Sequence, residues 1–261
     1  SLRDIFRSEG LQHGSRVGAV GWKYFLPTEV GDPEHTLDLP AYVADTLRAL
    51  AGKSNVVNAA ALLIGAEAGL RTRCSAFEIA YFEYTNTLAS DSVRRMIRGV
   101  RSGMTDREIM RRGEFNGEPF AAHPTIKTAA TRHGSLRSPV GAKAQRGEPL
   151  SLSVCHWGSN CCRAVWLART AADLPAEARD YVEAFAGPYF ETMAAWLAEL
   201  KIGATGDRLA RLVADRLPFD RFGVFLNPGH LIHLDEWVCS PFQRGSNLRL
   251  RSGMAIQTDI I

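Results

Sequence analysis

The sequence predicts an α+β protein in which helices cover one face of a sheet. Three observations carry this expectation. Apolar residues recur at helical spacing in two blocks, one opening near residue 75 and one near residue 174. β-prone runs gather between and after those blocks instead of alternating with them, and a small α/β pattern precedes them all.

Taken in order, residues 15 to 65 mix short apolar runs (Val17 to Val20, Ala59 to Ile64) with the helical stretch "YVADTLRALAG". Gly52 suits the stop of that helix. In "GLRTRCSAFEIAYFEYTNTLASDSVRRMIRGVRSG", Phe77, Tyr81, Tyr84, Leu88, Met96 and Val100 recur at three- or four-residue spacing or its multiples. They mark one helix face, closed at Gly103. "TDREIM" opens another helix, with Thr105 as N-cap and Glu108 completing a capping box.

Strands follow in "PFAAHPTIKTAA", "PLSLSV" and "RAVWLA". The last two read as a hairpin through the turn-rich "HWGSN". Residues 174 to 200 return to helical periodicity, bent or split at Gly187-Pro188. "TGDRLARLVADRL" is a further helix with Leu209, Leu212 and Val213 on its inner face. The end reads as strands in "FGVFL", "HLIHL" and "GMAIQTDII".

The chain has 261 residues, 46% hydrophobic and 23% charged, which describes a globular protein rather than a disordered or fibrous one. No apolar run has the length of a membrane span, and "SLRDIFRSEG" lacks the apolar core of a signal peptide. Five cysteines, an odd number, argue against a disulfide framework and for a reducing, cytoplasmic setting. The net charge of +3 is too mild to imply a nucleic-acid or membrane partner. A start without Met and an apolar strand-like end at "QTDII" suggest a fragment.

The stretch "FLNPGHLIHLDEW" concentrates two histidines and two carboxylates. Following Asn-Pro-Gly it reads as a strand, on which residues three apart point to opposite faces. His230 and His233 therefore do not chelate one ion together. Zinc held by Cys155, His156, Cys161 and Cys162 matches no common spacing, and adjacent cysteines rarely reach one tetrahedral ion. Those cysteines read as buried or turn residues.

Three stretches together resemble the creatinase and Xaa-Pro aminopeptidase family, which includes prolidase and methionine aminopeptidase and whose peptidase domain is the pita-bread fold. "GLRTRCSAFEIAYFEYTNTLASDSVRRMIRGVRSGMTDREI" resembles the linker and first helix, "NPGHLIHLDEW" the glycine-histidine strand, and "LRLRSGMAIQTDII" the L-x-x-G-M strand. The resemblance implies a partial N-terminal α/β domain over residues 1–72 and a pita-bread domain over 73–261, truncated at its C-terminus. It also implies a homodimer and a small-molecule or short-peptide substrate.

Family peptidases hold two Mn, Co or Zn ions with two hairpin aspartates, the histidine of the glycine-histidine strand and two late glutamates. Carried over, the histidine is His230 and the first late carboxylate is Asp259. The hairpin slots fall on Ser153 and on Arg163 or Ala164, and from Pro149 to Ala172 there is no Asp or Glu. Two dications bring four positive charges and prefer carboxylate oxygens, so removing two anions leaves a site that repels them. The expectation is that no metal cofactor is bound.

Creatinase, which works on this fold without metal, implies histidine acid–base cleavage of a carbon–nitrogen bond in a small substrate. That analogy makes His133 the proton shuttle, His230 a second base or substrate contact, and Asp259 the anion orienting a cationic substrate. Arg163 either anchors a substrate carboxylate through forked hydrogen bonds or is a surface arginine. His233, Asp235 and Glu236 are further candidates for substrate contact. Asp235 and Glu236 alternatively cap the strand and meet Arg244 or Arg249. Two other readings stay open: a catalytically silent module that binds peptide or protein, and a metal-dependent peptidase with atypical ligands.

Overall fold

The computed structural model describes residues 1–131 and 137–261, which form two compact units, Ser1–Thr72 and Arg73–Ile261. In the first unit, α1 (Leu2–Ser8) precedes β1 (Val17–Ala19), α2 (Ala41–Ala51), β2 (Val56–Asn58) and α3 (Ala61–Ile64). β1 and β2 pair in parallel, and Ala19, Leu47, Ala51 and Val56 form the core beneath them. Gly52 ends α2, as its position predicts.

The second unit opens with α4 (Ala76–Gly99) and α5 (Asp106–Arg111). Both start on complete capping boxes, Ser75 with Glu78 and Thr105 with Glu108. Each box satisfies otherwise orphaned amides of the first turn and fixes where the helix begins. β3 (Phe120–Thr128), β4 (Pro149–His156) and β5 (Cys161–Trp166) then form an antiparallel sheet with β4 in the middle.

Alternation along β4 decides what each sheet face does. Leu150, Leu152 and Val154 point into a core shared with Ala89, Val93 and Met96 of α4, Ile109 and Met110 of α5, and Ile126. Ser151, Ser153 and Cys155 point the other way. Met96 is fully buried at the centre of that core. Cutting it back to alanine is expected to cost about 2–5 kcal/mol in lost transfer and cavity energy.

The buried face of α4 differs from the predicted one over its first half. Phe82, Thr85, Ala89, Ser92, Val93 and Met96 face inward, whereas Phe77 is 82% and Tyr84 53% exposed. The helix carries aromatic residues on both sides here, so periodicity alone leaves its rotation open. The hairpin turn settles it. Thr85 Oγ1 donates to Trp157 O at 2.9 Å, and Phe82 packs under the same turn.

A π-helical turn at Val182–Ala186 runs into α6 (Gly187–Glu199), with Pro188 in its first turn, where a missing amide is tolerated. α7 (Gly206–Arg216) and α8 (Phe219–Phe222) follow. Trp196, Leu209, Val213, Leu217, Phe242, Leu250 and Ile260 make the second core. "FGVFL" is not the predicted strand: α8 runs through Phe222, and Phe225 N–H then donates to Ile261 O. The last two strands are short, β6 (Gly229–Leu231) and β7 (Ile256–Thr258), paired antiparallel. Among the described residues no helix is long and apolar enough to cross a membrane.

Candidate functional site

The site is built around β6. Gly229 is required there because a Cβ would lie 2.5 Å from the carbonyl oxygen of Gln257 on β7. That close approach sets His230 directly opposite Gln257. The strand stops one residue later. Leu231 N–H donates to Cys239 O, Val238 N–H donates back to Leu231 O, and His233 N–H donates to Asp235 O. The chain between them folds back on itself, and this return brings Glu236 onto His230.

His230 is buried, its side chain 2% exposed. Its Nδ1 lies 3.3 Å from Leu231 O and donates there, which turns Nε2 toward two carboxylates. Glu236 Oε1 is 3.5 Å from Nε2 and Asp259 Oδ2 is 3.7 Å away. Trp237 stands beside the imidazole with ring centres 6.3 Å apart.

The three groups divide the protons unequally. Burial disfavours the charged imidazole, but the hydrogen bond and charge of Glu236, with Leu231 O and Asp259 behind them, raise the His230 pKa above its ordinary value. Pairing with His230 holds Glu236 below the usual glutamate range, against the opposing effect of burial. Asp259 goes the other way: burial lifts its pKa, helped by the charge of Glu236 and only partly offset by His230. A carboxylate of lowered proton affinity, an imidazole of raised affinity and a second carboxyl of raised affinity therefore sit side by side.

The hairpin supplies neutral groups. Ser153 pairs with Cys162 across β4 and β5, on the face away from the Leu152 core. Asn160, in the turn, accepts from Ser153 Oγ at 3.1 Å and from Cys162 Sγ at 3.2 Å. Its Nδ2–H donates to Glu236 Oε1 at 3.1 Å. Burial pushes the Cys155 thiol up to about 12 and raises that of Cys162 as well.

Of the residues singled out from sequence, His230, Asp259 and Glu236 come together. Glu236 does not meet Arg244 or Arg249 as one reading had it; it meets His230 and Asn160, while Arg249 donates to Gly203 O. His233 does diverge from His230, but β6 ends at Leu231 and the turn after it, rather than strand alternation, sends it away: its Nε2 lies 3.0 Å from Glu78 Oε1 and its ring packs edge-on to Phe82. Asp235 serves the turn through its carbonyl. Arg163 is exposed on β5, opposite Leu152 rather than Ser153, with Nη1 donating to Cys162 O. His133 lies outside the described residues.

Sequence reasoning missed Asn160 and Glu78. An asparagine in a Gly-Ser-Asn turn reads as a turn former, and a glutamate three residues after a serine as a cap. Both do carry a local signal, but it points to the near neighbour and not to the distant partner.

These donors do not fit a pair of divalent ions. The hairpin offers a hydroxyl, an amide and a thiol that keeps its proton, and only Glu236 and Asp259 bring carboxylates. Among the described residues no group of three or more His, Cys, Asp or Glu side chains is arranged to hold a metal ion.

No sequence-family model and no curated protein matches the chain. Solved structures do match it over nearly its full length. The prolidase from Pyrococcus horikoshii OT3 superposes with a TM-score of 0.76 at 16% identity, covering 98% of this chain and 68% of its own. The prolidase from Pyrococcus furiosus gives 0.73 at 17% identity, with coverages of 98% and 70%. The Xaa-Pro dipeptidase from Bacillus anthracis gives 0.70 at 14% identity, with 98% and 66%. The chain thus spans about two thirds of the length of these structures, and its fold is the pita-bread fold they share, as the sequence resemblance implies.

Proposed function

We propose that this pita-bread chain is a hydrolase that cleaves a carbon–nitrogen bond, amide or amidine, in a small amino-acid-like substrate, by histidine acid–base chemistry without metal. The observation that carries the reading is His230 Nε2 held between Glu236 and Asp259, two carboxyl groups whose proton affinities are driven apart. Such splitting is how neighbouring titratable groups acquire separate acid and base roles.

Hydrolysis needs a proton taken from the attacking water and a proton given to the nitrogen as the bond breaks. His230, kept protonated by Glu236, supplies the second. Asp259 in its ionised form, its basicity raised by burial, takes the first. His133 remains in this proposal as a second proton carrier. The fold supports the reading because prolidases and an Xaa-Pro dipeptidase share it. We take the active form to be a cytoplasmic homodimer.

One observation favours a second reading, a silent module that binds peptide. With only 2% of its side chain exposed, His230 offers little surface to a ligand. A thermal-shift screen of small guanidino, amide and Xaa-Pro compounds separates the two. The hydrolase reading expects a stabilising compound that wild type consumes and His230→Gln does not. Binding without turnover across the whole set would replace it with the binding module.

A further inference from the structure

Asn160 makes three side-chain hydrogen bonds, and each ends on a residue of the candidate site. Its Oδ1 takes the hydroxyl proton of Ser153 at 3.1 Å and the thiol proton of Cys162 at 3.2 Å. Its Nδ2–H reaches Glu236 Oε1 at 3.1 Å, across 76 residues of sequence. That oxygen is the same one that lies 3.5 Å from His230 Nε2.

We propose that Asn160 is a positioning residue of this site, tying the hairpin to the returning loop so that Glu236 Oε1 is held against His230 Nε2. The inference rests on taking the Glu236–His230–Asp259 cluster as the working site, but its test needs no substrate. The amide is suited to the place because it both accepts and donates. The two hydrogens arriving from β4 and β5 need an acceptor, and an anionic carboxylate on the far side needs a donor. An aspartate would satisfy the first and repel Glu236. A serine would be too short to span the gap.

Besides His230 and Asn160, the side chain of Gln257 on β7 hydrogen-bonds the Glu236 carboxylate, so Asn160 is its tie to the hairpin. Backbone bonds at Leu231, His233 and Val238 shape the turn, but the side chain is 31% exposed and depends on its partners for direction. The ionisable groups that bear on Glu236 are His230, Asp259, Cys155 and Cys162. Of these only His230 attracts it. Without Asn160 the carboxylate loses its tie to the hairpin and keeps only Gln257 and the ring, so it shifts toward water.

The test is a double-mutant cycle of Asn160→Ala and Glu236→Gln, read by the ¹⁵N signals of the His230 imidazole and by thermal melting of the full chain. Each single variant is expected to weaken proton retention by His230 about threefold or more, in the same direction, and the double variant to add nothing beyond Glu236→Gln. Asn160→Ser, neutral and small, serves the same comparison if the alanine variant does not fold. A His230 spectrum unchanged from wild type in the folded Asn160 variants, or full additivity in the double variant, overturns the proposal. Either result leaves the hydrolase reading intact. A shifted spectrum alongside a failed substrate screen does the reverse.

Discussion

Glu236 Oε1 stands 3.5 Å from His230 Nε2, nearer than Asp259 Oδ2 at 3.7 Å. This pair joins β6 to the loop that folds back after Leu231 and makes site geometry depend on charge. It also separates the roles of the two carboxyls, because the ring lowers the pKa of the closer one while burial raises that of the farther one.

A pH dependence follows from that pair. Glu236, with its pKa lowered on folding, adds stability above its unfolded value and loses it as pH falls through the lowered folded value. His230, with its pKa raised, adds stability below its unfolded value and loses it as pH rises through the raised one. Glu236→Gln should therefore be most destabilising between the unfolded glutamate and histidine values and converge on wild type on either side. Urea melts across a pH series check this; a difference independent of pH would remove the ion pair from the account.

His230→Gln keeps the length of the side chain and removes its titration. Once a substrate is found, turnover should fall at least about tenfold, at the lower edge of what general acid–base groups contribute. The melting profile near neutral pH should stay cooperative. Unaltered kinetics would take His230 out of the mechanism.

The donor set implies that purified protein carries no stoichiometric Mn, Co or Zn at this site and that chelators leave its melting temperature unchanged. Elemental analysis is the direct measurement. Two ions per chain would return the site to ordinary aminopeptidase chemistry.

Gly158→Ala tests the docking of the hairpin turn on α4. Gly158 has φ of +75°, and a Cβ there would lie 1.8 Å from Phe82 Cδ1. The ring is buried and cannot step aside, so strain and overlap add. Destabilisation of about 2 kcal/mol or more is expected in urea unfolding. A variant as stable as wild type would mean that the turn sits elsewhere.

Much of the fold was legible because its signals are local. The Thr105–Glu108 capping box, the hairpin and the inner face of α7 follow from residues a few positions apart, while at Gly187-Pro188 the helix changes from π to α winding instead of splitting. The rotation of α4 was not, since Phe82 and Tyr84 are both large aromatics and the packing of Gly158 against Phe82 selects the buried one. The strand in "FGVFL" failed because β-propensity needs a ladder partner, and Phe225 finds a single carbonyl at Ile261.

For the site, residue types and their order set the inventory: a glycine-histidine strand, a late aspartate and a hairpin without a single carboxylate. Tertiary structure alone decided which groups meet. It turned His233 toward Glu78, left Arg163 outside, and joined Asn160 to Glu236 across the fold. The physical reason is range. A residue's type and its neighbours set its intrinsic proton affinity and backbone preference, whereas pairing and burial, which split Glu236 from Asp259, arise only when distant segments are packed together.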